Sequence, residues 1–76
     1  MSAGATVLAL LAARAPGATL CPSEVARAIA GGAWREAMVG VHAAVDALVA
    51  EGCVRLSWKG AAMPARDGPY RIGRAD

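Results

Sequence analysis

The fold is decided by a change of hydrophobic period within residues 41–59, which read VHAAVDALVAEGCVRLSWK. The apolar residues of the first half include Val41, Val45 and Leu48. Their steps of three and four line one face of an α-helix. The apolar residues of the second half are Val54, Leu56 and Trp58. Because these alternate with polar residues, they predict a strand with one buried face, and Gly52 marks the helix end between the two patterns.

Three helices are predicted ahead of this strand. The first covers residues 3–15 and is stopped by the Pro-Gly pair at residues 16–17, because proline cannot continue a helix. The second begins around Pro22, since proline suits a first helical turn, and ends at the glycines of residues 31–32. The third covers residues 34–50. Its predicted buried stripe consists of Trp34, Met38, Val41, Val45, Leu48 and Val49.

A second strand is predicted at residues 70–72, where apolar residues again alternate with Arg71. Residues 59–68 contain glycines and a proline and predict a long loop between the two strands. With a short extended piece at residues 19–20, the order is helix, strand, helix, tight turn, helix, hairpin. That is the order of a winged helix-turn-helix. We therefore predict a mainly α single domain over residues 1–76, with three helices and a small β-hairpin as the wing.

Composition excludes several classes of protein. A chain of 76 residues supports one small core and buries roughly 60% of its unfolded surface. With 57% hydrophobic and only 18% charged residues, it is not a disordered charged tail. The apolar run at residues 3–13 is too short to span a bilayer and lacks the features of a signal peptide. We expect a cytoplasmic protein with no membrane partner.

Several short motifs also occur together: Thr19-Leu20-Cys21-Pro22-Ser23-Glu24-Val25-Ala26-Arg27, then Trp34-Arg35 with Met38, Leu48 with Glu51-Gly52, Lys59-Gly60, and Gly68-Pro69-Tyr70-Arg71-Ile72. Through them, residues 7–72 resemble a bacterial family of small winged-helix domains of unknown function. The resemblance implies the fold. It implies no established activity, cofactor or catalytic residue.

Positive charge is concentrated in the last third of the chain. The net charge is +2, yet residues 54–76 hold five basic residues against two acidic ones. Such a region favours an anionic partner, and the wing of this fold class often contacts DNA. Lys59 and Arg66 are expected at or near the wing tip, and Arg71 on the outward side of its strand. The predicted contacts with phosphates of double-stranded DNA are Arg35, Lys59, Arg66 and Arg71.

Two other interpretations of the same residues remain open. The basic side chains are also compatible with a role in solubility alone, because isolated surface charges commonly have no other function. The first helix is rich in alanine and leucine, and Ala9 and Leu10 lie beside its predicted core stripe. Small residues let helices approach closely, so this helix is a candidate face for a homodimer or another protein partner.

The sequence offers little for catalysis or metal binding. His42 is the only histidine, and together with Cys21 and Cys53 it has no recognised ligand spacing. Both cysteines are expected as reduced, partly buried thiols. Cys21 precedes a helix, where a thiol can be activated. We favour its interpretation as a small residue packed before Pro22, because no second catalytic group lies nearby in the sequence. We expect no enzyme activity, no cofactor and no metal.

Overall fold

The protein is described by a computed structural model that covers residues 2–75. Three helices lead into a three-stranded antiparallel sheet, which makes the fold mixed α/β. The elements are α1 (Ala3–Ala12), α2 (Pro22–Ala30), α3 (Trp34–Ala50), β1 (Val54–Trp58), β2 (Ala61–Met63) and β3 (Arg71–Arg74). A single 3₁₀ turn, Gly31–Ala33, joins α2 to α3.

Helix α3 has the predicted bounds, and its predicted stripe is confirmed. Its buried residues are Val41, Val45 and Leu48, and the other three stripe residues are partly buried against the core. Gly52 has a φ of +75°, so the predicted left-handed end is confirmed as well. Although α3 is the longest helix within residues 2–75, none there is long and apolar enough to cross a membrane.

Helix α1 is shorter than predicted because a turn begins before the proline. It ends at Ala12, whereas the prediction extended it to residue 15. The N–H of Ala18 donates to the carbonyl of Ala15, and Gly17 between them has a φ of +88°. A proline also disfavours helical geometry in the residue before it. The helix must therefore end before Ala15.

The predicted antiparallel pairing of the two strands is confirmed, since Leu56 of β1 pairs with Ile72 of β3. The loop predicted between them is corrected, because it contains a third strand, β2. Strands β1 and β2 form a tight hairpin, and Lys59 and Gly60 both take positive φ values, of 50° and 82°. Two positive φ values are the geometry that matches the twist of paired strands. Residues 64–70 then cross to the other edge of β1, where β3 pairs. Strand β1 is thus the centre of a sheet ordered β2-β1-β3.

Strand β3 also joins the sheet to the helical half. Leu20, in the predicted extended piece, pairs with Ile72 through two backbone hydrogen bonds of 2.8 Å each. Both side chains are completely buried in one core formed by all three helices and the sheet. The core residues are Val7, Leu11, Leu20, Val25, Ala26, Val41, Val45, Leu48, Val54, Leu56, Tyr70 and Ile72.

Candidate nucleic-acid interface

The segment from 64 to 70 packs onto α3 through an ion pair. Arg66 donates two hydrogen bonds of 2.7 Å, one to each carboxylate oxygen of Asp46. Such paired bonds fix both side chains more firmly than a single contact. The Arg66 guanidinium holds the pKa of Asp46 below its usual value. Arg66 therefore lies beside α3, and the expectation that it sits near the wing tip is corrected.

A second contact from the same segment reaches α3 one helical turn earlier. The Tyr70 hydroxyl lies 2.6 Å from Nδ1 of His42. Burial raises the pKa of Tyr70 to about 12, so its hydroxyl keeps the proton at neutral pH. Burial also lowers the pKa of His42, with the charge of Arg66 as a smaller cause, and this favours the neutral ring. Tyr70 then donates to Nδ1, which leaves the proton of neutral His42 on Nε2.

Arg71 and Arg74 of β3 are directed at the connection between α1 and α2. Arg71 donates to the Thr19 hydroxyl at 2.7 Å and to the Thr19 carbonyl at 3.1 Å. Arg74 donates to the carbonyls of Leu11 and Arg14, at 2.8 and 3.0 Å. The two bonds of Arg74 add to the few partners of carbonyls at the end of α1 and just beyond it, where helical hydrogen bonds stop. Arg71 was expected on the outward side of its strand, but its side chain is half-buried.

Lys59 lies at the tip of the β1–β2 hairpin. Its side chain is exposed, and no carboxylate within residues 2–75 pairs with it. Lys59 and Gly60 form the two-residue turn between β1 and β2. Of the four predicted phosphate contacts, Lys59 is the one that lies at the tip of this hairpin.

Arg35 lies in the first turn of α3 and stacks on an aromatic ring. Its Cζ is 4.5 Å from the centroid of the Trp34 ring. The Cζ of Arg27, near the end of α2, lies at the same distance from that ring. Both arginines are exposed, and neither is paired with a carboxylate in the described part of the chain. Arg27 was not among the predicted contacts, because its proximity to Trp34 depends on how α2 and α3 pack together and no local pattern in the sequence indicates it.

An apolar cleft lies between the start of α2, one face of α3 and the segment that leads into β3. It has a volume of about 370 Å³, and its lining includes Cys21, Met38, His42, Trp58, Pro69 and Tyr70. Trp58 is 40% exposed, although its alternation with Leu56 predicted a buried position. Trp58 is the last residue of β1, and its partly exposed ring contributes to the lining of the cleft.

Cys21 and Cys53 form no disulfide with each other, and their environments differ. Cys21 is half-buried at the start of α2, with its Sγ 3.0 Å from the Ser23 hydroxyl. Its backbone N–H donates to the Glu24 carboxylate, which also pairs with Arg14 at 2.6 Å. Cys53 is exposed, so the expectation of burial is wrong for that residue.

Comparison with known protein families assigns nearly the whole chain to one family. Residues 2–75 match a family described as protein of unknown function (DUF3253). The chain belongs to DUF3253. No curated protein matches it. The arrangement of charged groups in this DUF3253 chain therefore has to be interpreted from its own geometry.

The contact between His42 and Tyr70 generates a prediction about pH. Because the pKa of His42 is lowered in the folded state, the unfolded chain binds a proton more readily below about pH 6.5. The free energy of unfolding, measured with urea, should fall between about pH 7 and about pH 5. The His42→Gln variant keeps a hydrogen-bond acceptor for Tyr70 but has no group that titrates in this range. Its free energy of unfolding should therefore fall less between pH 7 and pH 5.

The pKa values of Asp46 and Glu24 are lowered as well. The stability that these carboxylates contribute is lost mainly as the pH falls below their ordinary pKa values of 3.8 and 4.5. They therefore do not interfere with the range in which His42 titrates. An equal loss of stability in wild type and His42→Gln would contradict the assignment.

Proposed function

We propose that this DUF3253 chain is a non-enzymatic winged helix-turn-helix module that binds double-stranded DNA weakly through phosphate contacts. In that fold, the third helix lies against the major groove and the wing contacts the neighbouring backbone. Here α3 corresponds to the third helix, and the β1–β2 hairpin corresponds to the wing. Strand β3 completes the sheet on the other side of β1.

One observation carries the proposal. The two elements that a winged helix directs at DNA each carry an exposed cation, Arg35 in the first turn of α3 and Lys59 at the hairpin tip. No carboxylate within residues 2–75 neutralises either one. Phosphate neutralisation by such cations supplies most of the affinity in non-specific DNA binding.

The composition of α3 supports binding without strong sequence preference. Base edges in the major groove are read mainly by arginine, lysine, asparagine and glutamine. Among these residue types α3 contains only Arg35, and its exposed positions farther along include Val39 and Ala43. The Arg66–Asp46 pair places a partly neutralised carboxylate on the same helix. Few side chains are therefore suited to base recognition.

Arg66 and Arg71 stay predicted phosphate contacts, with smaller expected contributions. The guanidinium of Arg66 already makes two bonds to Asp46, and that of Arg71 makes two to Thr19. A phosphate would have to share or displace these partners. Arg35 and Lys59 have no such competition from the described carboxylates, so they should dominate.

A salt titration of binding to a random-sequence DNA duplex tests the proposal. Each neutralised phosphate adds about 0.9 to the slope of log affinity against log salt. Arg35→Gln and Lys59→Gln should each weaken binding and lower the steepness of that slope by about this amount.

Arg55→Gln is the matched control. It removes one exposed arginine from β1, between core residues Val54 and Leu56, and so from the outer face of the sheet. We expect it to leave the slope nearly unchanged. Absence of wild-type binding at low salt would overturn the proposal, as would equal effects of all three substitutions.

A second candidate function is association through α1. Leu8 is 43% exposed and Ile29 on α2 is 41% exposed. Between the two helices lies a groove of about 360 Å³, lined by Thr6, Ala9, Leu10, Ala28 and Ile29. Helix α1 carries no charged residue, so a protein partner would meet no charge to desolvate there. Exposed apolar surface of this kind is a common feature of interaction sites.

Light scattering across a concentration series tests this second function in its homodimer form. A dimer should dissociate when Leu8→Glu places a charge on the exposed face, whereas Val39→Glu on α3 should leave it intact. Val39 is a suitable control because it is 79% exposed and lies on a different helix. A wild type that stays monomeric throughout would remove the homodimer from consideration.

A further inference from the structure

We infer that Arg27, Trp34 and Arg35 form one phosphate-binding site at the junction of α2 and α3. The inference rests on the proposed function, which it extends by naming Arg27 and by assigning two guanidiniums to one backbone phosphate. The site lies where the end of one helix meets the beginning of the next, so it is built from two separate elements.

The two arginines are held close together by a shared aromatic ring. Each Cζ is 4.5 Å from the centroid of Trp34, so the two positive groups are separated by at most twice that distance. Trp34 itself is half-buried and packs against the core, which fixes the ring. Two exposed arginines from different helices thereby contact one half-buried ring.

The proximity of two like charges indicates an anionic ligand. At such separations the repulsion between unit charges is weakened by water but not abolished. Contact with the indole ring offsets part of it at each arginine. Neither arginine forms an ion pair with a carboxylate in the described part of the chain. A phosphate bound by both groups would replace this repulsion with attraction.

The hydrogen-bonding groups of the two arginines are also available. The arginine side chains that donate hydrogen bonds within residues 2–75 are those of Arg14, Arg66, Arg71 and Arg74, so the five N–H donors of Arg27 and of Arg35 are not engaged there. Such donors match the tetrahedral oxygens of a phosphate and bind two of them at once. Lysine would supply charge without this paired geometry.

The beginning of α3 adds to the positive potential of the site. The first turn of α3 carries a partial positive charge and has no side-chain cap, whereas the last turn of α2 at the same junction carries a partial negative charge. The contribution of α3 is therefore partly offset, and most of the positive potential comes from the two guanidiniums. Glu36 is the acidic residue of the first turn of α3. It follows Arg35 by one position and therefore points about 100° around the helix from it. Its carboxylate forms no ion pair with either arginine.

The favoured occupant is a phosphate of a DNA duplex, because the site lies at the start of the helix that the proposed function directs at DNA. The test combines two measurements. One is the salt dependence of binding to the random-sequence duplex. The other is the fluorescence of Trp34 during titration with inorganic phosphate, in a Trp58→Phe background that leaves Trp34 as the only tryptophan.

Arg27→Gln should weaken duplex binding and reduce the salt slope by about 0.9, equivalent to about a threefold smaller loss of affinity between 50 and 200 mM salt. Arg27→Lys should bind with intermediate affinity, because it keeps the charge but loses the planar donors. Arg55→Gln is again the charge-matched control. Inorganic phosphate should change the emission of Trp34, and Arg27→Gln should abolish the change.

The outcomes separate the site from the proposed function. If the duplex binds and Arg27→Gln behaves like Arg55→Gln, the site is overturned while the function stands. If no duplex binds but phosphate alters Trp34 emission only when Arg27 is present, the site stands and DNA binding is overturned. If Arg27→Gln lowers the melting temperature without affecting either ligand, the contact with Trp34 is only structural and the inference fails. Arg27→Lys supplies the same comparison if Arg27→Gln does not fold.

Discussion

The pairing of Leu20 with Ile72 is the constraint on which the rest of the structure depends. Each residue donates its N–H to the other's carbonyl at 2.8 Å, and both side chains are fully buried. Ile72 pairs at the same time with Leu56 of the central strand. This one residue of β3 therefore connects the helical half of the chain to the sheet. Apolar burial stabilises the contact, and the backbone bonds set its register.

The position of β3 also determines which charges are available to a ligand. Because it lies against the connection between α1 and α2, Arg71 and Arg74 face backbone oxygens of that connection and bond to them. The segment at residues 64–70, which leads into β3, lies beside α3, where Arg66 binds Asp46. A chain that is basic in its last third thus uses much of that charge to hold itself together. Lys59 and Arg55 remain exposed there without an ion pair to a described carboxylate, as do Arg35 and Arg27 earlier in the chain. So few charges agree with the weak, salt-sensitive binding that we propose.

Local patterns in the sequence predicted the elements whose causes are local. The period and the glycine at residue 52 sufficed for α3, and alternation sufficed for β1. Strand β2 was missed because Ala61 and Ala62 are small and exposed, so no alternation of polarity marks it. The partners of the arginines were missed because they are distant: Arg66 and Asp46 are 20 positions apart, and Arg71 and Thr19 are 52 apart. A count of basic residues does not distinguish an internal bond from an exposed charge.

Amide hydrogen exchange at Leu20 and Ile72 tests the central claim most directly. If their pairing holds the two halves together, both amides open only when the whole molecule unfolds, as amides in the most stable cores do. Their exchange should then show the same free energy of opening as the amide of Val45, in the buried part of α3. Faster exchange at Leu20 and Ile72, insensitive to denaturant while Val45 stays protected, would show that β3 detaches locally and would contradict the account.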